Sequence, residues 1–83
     1  MFLHLGDDFS VRVSEVISVH EYRSMTESMI GWEFLTNEKD RVEDVSGGKA
    51  KSVVITDHKI YFSKLSPETL KKRAEAFGFG ITF

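Results

Sequence analysis

Lys49 and Lys51 stand two residues apart beside Gly47-Gly48. In an extended arm alternate side chains leave the backbone on the same side, so this spacing places two ammonium groups on one face. Lysine ammonium groups are compact point charges suited to phosphate oxygens. A charged turn that discourages edge-to-edge strand pairing would use the same residues, and for one isolated chain that plainer reading suffices. A ring of identical subunits changes the balance. Each copy repeats both charges at fixed spacing, and individually small phosphate contacts then add. Lys71 and Lys72, on the solvent side of the expected last helix, are second-tier candidates for the same contacts. No RNA-recognition aromatic pattern and no helix-turn-helix spacing is present, so the chain offers phosphate contact without base reading.

Other reactive side chains form no constellation. The histidines are His4, His20 and His58; none has helical i, i+4 spacing with another, and no HExxH-type motif occurs. Asp7-Asp8 beside Gly6 is ordinary turn chemistry. Nothing orders Ser, His and Asp as a triad. The Gly47-Gly48-Lys49-Ala50-Lys51 run lacks the spacing and the final Ser or Thr of a phosphate-binding Walker loop. A domain of this size also leaves little room for a ligand pocket of several hundred Å³. The expectation is a protein that is not an enzyme and needs no metal or cofactor.

Charge is divided unevenly along the chain. Residues 1–46 hold four bases against ten acids, a net of −6, and residues 47–83 hold seven bases against three acids, a net of +4. Such a split serves either a basic face for an anionic partner or attraction between the two halves, within or between subunits.

The elements that must carry these groups read as α+β. Met1 to Leu5 is a short strand, Phe9 to Val13 alternates as a half-buried strand, and Val16 to Tyr22 is β-rich, so the three predict a meander. Ser24 with Glu27 has the capping-box pattern and opens a helix to about Glu38. Its apolar residues cover more than one face: Met25, Met29, Trp32 and Thr36 form one stripe, Ile30 and Phe34 a second. Gly31 inside this helix implies a close neighbour, a partner subunit being one candidate. Val42 to Val45 is a short strand, and Gly47-Gly48 predicts a hairpin turn to Ala50–Thr56. Val53-Val54-Ile55 reads as a central strand buried on both faces, followed by a strand from Lys59 to Lys64. Ser66 and Pro67 open the last helix, with Leu70, Ala74 and Phe77 on its apolar stripe and Gly78 as its stop. The apolar tail, Phe79 to Phe83, is expected to dock or to pair as an edge strand. The expected fold is one domain over 1–83, a small antiparallel β-sheet with two helices in βββα-βββα order.

Size and composition close off other classes. An 83-residue chain buries only about 60–65% of its unfolded surface. Without cysteine, neither disulfides nor cysteine-held metal can compensate, which leaves self-association as a common source of further burial. Met29, Trp32 and Phe34 are the residues expected at that interface. At 41% hydrophobic and 12% aromatic residues the chain is not disordered. No apolar run approaches the roughly 18 residues of a membrane span. The first ten residues carry two Asp and no Lys or Arg, unlike a signal peptide.

Three segments carry a resemblance: the opening "FLHLGDDFSV", the block "SVVITDHKIYFSKLSPETLKKRA" and the "EFL" of the first helix. Through about residues 1–77 the chain resembles the RemA/RemB family of bacterial extracellular-matrix regulators, on its RemB side. The resemblance implies a small cytoplasmic, DNA-binding transcriptional regulator of biofilm-matrix genes. It also implies a closed homo-oligomeric ring that wraps double-stranded DNA through repeated basic residues, broadly as histones do. Carried over by position, Lys49 and Lys51 match basic positions of the family's arginine-rich arm, whereas Gly48 does not. Glu15 stands where the family has an arginine. Arg73 matches a family arginine in the last helix, where subunit contact or packing is its expected role. The alternative is an oligomeric scaffold that binds protein, a RemA-like paralogue being one partner, and no DNA.

Overall fold

The computed structural model describes residues 1–6, 8–76 and 78. The order of elements follows the β-rich and helical segments of the sequence: β1 (Phe2–His4), β2 (Ser10–Arg12), β3 (Val16–Glu21), α1 (Tyr22–Glu27), α2 (Met29–Asn37), β4 (Val42–Asp44), β5 (Ser52–Thr56), β6 (Ile60–Ser63) and α3 (Pro67–Glu75). Single 3-10 turns at Val13–Glu15 and Lys39–Arg41 lead into β3 and β4.

The described strands form two sheets. β1 and β2 pair antiparallel, Leu3 opposite Val11. The other four strands lie in the order β3-β5-β6-β4. The expected meander therefore ends at β2. β3 leaves that hairpin through the 3-10 turn and pairs antiparallel with β5, Val19 opposite Val54. The expected hairpin at Gly47-Gly48 is also replaced. β4 pairs parallel with β6, Val42 opposite Ile60, so the sheet is mixed. Residues 45–51 cross from β4 to β5 past the end of the strand between them. Local turn chemistry at the two glycines is real, with φ of 67° at Gly47 and 82° at Gly48. That conformation suits glycine, but it says nothing about which strands become neighbours.

β5 is the centre, as its β-branched run requires. Val53 and Val54 are both fully buried although they point to opposite faces. Behind one face Val19 and Val54 pack with Leu3, Leu5, Val11 and Val13 of the hairpin layer and Leu70 of α3. Behind the other, Val53 and Ile60 pack with Leu35 of α2, flanked by Tyr22, Met25, Phe34, Val42 and Phe62. The fold is thus three layers: hairpin with α3, the mixed sheet, and α1 with α2.

The first helical segment differs from its expected form. The helix begins at Tyr22, and it breaks at Ser28, whose backbone is extended and whose Oγ accepts from the Gly31 amide at 3.2 Å. Ser24 is inside α1 and donates its hydroxyl to the Glu21 carboxylate, so the capping serine is Ser28, and the described residues form three α-helices. At the last helix the expected cap is present, Ser66 Oγ accepting from the Thr69 amide at 3.2 Å. Leu70 and Ala74 face the core. Phe77 and the tail Phe79 to Phe83 lie outside the described residues.

Candidate nucleic-acid interface

The segment bearing Lys49 and Lys51 is held at both ends. At its entry the Asp44 carboxylate accepts the Ser46 amide at 2.8 Å and the Ser46 hydroxyl at 2.5 Å, while the Val45 amide donates to the Phe62 carbonyl at 3.0 Å. At its exit Lys51 continues the sheet backbone: its amide donates to the Ser63 carbonyl at 2.7 Å and its carbonyl accepts from the Tyr22 amide at 3.0 Å. The Lys51 backbone is therefore bonded on both sides, one residue before β5 begins. Between these anchors Gly47, Gly48 and Lys49 are exposed.

Both ammonium groups face solvent. The ion pairs found among the described residues are Arg23–Glu27, Arg41–Glu38 and Lys59–Glu43, and none engages Lys49 or Lys51. A shallow depression of about 270 Å³ beside Lys51 is lined by Glu21, Arg23, Ala50, Ser66, Pro67 and Glu68. Its charges are mixed, two carboxylates and one guanidinium around the lysine. Lys71, Lys72 and Arg73 follow one another on the exposed side of α3, and again no ion pair among the described residues holds them. Glu15 is half-buried at the end of its 3-10 turn, and its carbonyl accepts from the Asp57 amide at 3.2 Å.

The expected interface residues divide. Met29 and Trp32 are 87% and 59% exposed, whereas Phe34 is half-buried and packs on the Leu35–Val53–Ile60 core. Ile30, assigned to a stripe in the sequence but left out of the expected interface, is 82% exposed and extends the open apolar surface. The break at Ser28 explains this surface. It lets α2 start afresh with Leu35 inward, and Met29, Ile30 and Trp32 are left outward. Beside them a groove of about 450 Å³ runs between the helices and edge strand β4, lined by Tyr22, Trp32, Leu35, Val42 and Phe62, with Lys39 and Asp44 also on its walls.

Among the described residues no group of three or more His, Asp or Glu is placed to hold a metal ion. His20 instead hydrogen-bonds Ser18 at 3.0 Å on its own strand. Among the same residues no helix is long and apolar enough to cross a membrane. Two shifted groups, one at the entry to the crossing segment and one at the far end of β6, have local causes. Hydrogen bonds from Ser46 hold the Asp44 carboxyl below its ordinary value, and the hydrogen bond to Glu43 holds the exposed Lys59 ammonium above its own.

A family model described as "Extracellular matrix regulatory protein A-like" matches residues 2–74. The chain is also similar to extracellular matrix regulatory protein B of Bacillus subtilis, 39% identical over 75 residues, which covers 90% of this chain and 91% of that relative. A match from β1 into α3, together with that identity over nearly the whole length of both chains, shows that this chain belongs to the RemA-like family of extracellular matrix regulatory proteins.

Proposed function

We propose that this protein is a non-enzymatic, cytoplasmic transcriptional regulator of extracellular-matrix genes that binds double-stranded DNA as a closed homo-oligomeric ring. The observation that carries the reading is the basic crossing segment. Lys49 and Lys51 are solvent-facing, and no carboxylate among the described residues pairs with them. The backbone beneath them is bonded at both ends, so binding a phosphate costs little further ordering. Lys71 and Lys72 add second-tier contacts. Membership in a family of matrix regulators supports the regulatory role and the absence of catalysis. Met29, Ile30 and Trp32 support assembly, because a contiguous apolar surface on a small domain marks an interaction site. Trp32 and Met29 anchor the interface, with Phe34 backing them from within the subunit and Arg73 contributing from α3.

The test is titration of a promoter-length duplex over a range of salt. Each phosphate contact contributes a slope of about 0.9 in log affinity against log salt. The double replacement Lys49→Ala with Lys51→Ala should flatten that slope by more than one contact for every subunit touching DNA. An unchanged slope removes these residues from the site.

A second reading is favoured by the mixed charges around Lys51. Glu21 and Glu68 share its depression, and Glu15 occupies a family arginine position. On this reading the ring is a scaffold for a protein partner such as a RemA-like paralogue. Light scattering during size exclusion, with and without duplex at low salt, separates the two: a large assembly indifferent to DNA is the scaffold's signature.

A further inference from the structure

An acid beside a phosphate-binding segment would ordinarily weaken it. Asp44 is such an acid, five residues before Lys49, yet its carboxylate is turned onto the segment's own backbone. It accepts the Ser46 amide and the Ser46 hydroxyl. Ser46 is 4% exposed whereas Asp44 is exposed, so the staple ties a surface carboxylate to a buried serine. The Lys49 amide then reaches back to the Ser46 carbonyl at 3.4 Å. The turn at Ser46, from which Gly47-Gly48 and then Lys49 follow, is thus held by one side chain.

We propose that Asp44 is a positioning residue for DNA binding: its carboxylate fixes the backbone path that presents Lys49, so that a negative charge strengthens the hold on phosphate. The proposal rests on the reading of Lys49 and Lys51 as phosphate contacts and deepens it. It makes a prediction of opposite sign to simple electrostatics. Replacing Asp44 by Asn removes one negative charge per subunit, and with charge alone at work the attraction for DNA rises. With the staple at work, the amide oxygen of Asn is left as a weaker, uncharged acceptor for Ser46, the segment is held less firmly, and attraction falls.

Two measurements on the assembled protein decide the matter. Hydrogen exchange followed by mass spectrometry reads the peptide covering residues 45–51. In Asp44→Asn that peptide should exchange faster while the peptide covering Val53 and Val54 keeps its wild-type protection. Duplex titration should show about fivefold weaker binding for Asp44→Asn, the order expected when charge-assisted hydrogen bonds become neutral ones. Ser46→Ala, which removes one donor and leaves the charge, should weaken binding in the same direction. Unchanged exchange, or equal or tighter DNA binding by Asp44→Asn, overturns the positioning role and leaves the lysine reading intact. Indifference of binding to Lys49→Ala with Lys51→Ala overturns the lysine reading and the positioning role together.

Discussion

Gly31 lies against the backbone of Met25: a Cβ built on it would overlap the Met25 carbonyl oxygen and stand 3.0 Å from the carbonyl carbon. The neighbour that requires glycine is therefore the preceding helix of the same chain. The extended residue Ser28 folds α2 back onto α1, and the absent side chain lets the two backbones touch. Helix propensity favours alanine over glycine by about 1 kcal/mol. Overpacking costs about 1–3 kcal/mol, and here the obstacle is backbone, which gives way less easily than a side chain. The clash prevails, so Gly31→Ala should lower stability by about 1–2 kcal/mol net, measured as a lower urea midpoint at unchanged m-value. A higher midpoint would mean that α1 and α2 separate at little cost.

Trp32 sits on the outward side of α2 with Met29 and Ile30, 59% exposed in the single chain. Replacing an exposed residue leaves fold stability within about 0.5 kcal/mol, whereas a charge at an apolar contact between subunits is left desolvated. Trp32→Asp should release folded monomers, seen as a drop in mass by light scattering with wild-type circular dichroism. A variant that keeps the full assembly would move the contact to another face.

What was legible in the sequence was legible because it is local. The run Val53-Val54-Ile55 predicts a strand buried on both faces and becomes the centre of the sheet. Ser66-Pro67 predicts a capped helix start and forms one. The failures are about partners. Alternation finds β3 but not its pairing, and the glycine turn at 47–48 gives no hint that β4 lies parallel to β6. Ser24 with Glu27 satisfies the capping pattern, yet Ser28 is the cap of α2, which starts afresh there and carries Leu35 inward. For the site, the Lys49–Lys51 spacing announces two charges. The Asp44 staple beneath them is a contact between side chain and backbone that spacing does not announce, although Asp two residues before Ser is an ordinary turn-forming pair.

Glu15 offers a gain of function. It stands where the family resemblance implies an arginine, and its fixed hydrogen bond is through the backbone carbonyl, so a longer side chain does not break the turn. Its charge also helps hold the Tyr61 hydroxyl above the ordinary value, behind burial and Glu43. Glu15→Arg removes a repulsion and supplies a contact. It should tighten duplex binding and steepen the salt dependence by about 0.9 per added phosphate contact. The Tyr61 hydroxyl should titrate lower, readable by ultraviolet difference spectra. Tighter binding with an unchanged slope would place the arginine away from phosphate.

Asp44 should leave a signature in the acid limb of stability. The Ser46 hydroxyl and amide, with the Gly48 amide, favour its charged form and lower its folded pKa below the ordinary 3.8, desolvation opposing them. A carboxyl whose folded pKa is lowered binds its proton more readily when unfolded, so its contribution is fully present above 3.8 and is lost as pH falls through the lowered value. At neutral pH the staple is fully charged, and binding changes in Asp44→Asn there reflect geometry and not titration. In urea titrations below the ordinary carboxylate range, wild type should lose stability more steeply than Asp44→Asn, and the two curves should converge once Asp44 is protonated. Parallel curves through that window would show that Ser46 and Gly48 do not stabilise the carboxylate in solution.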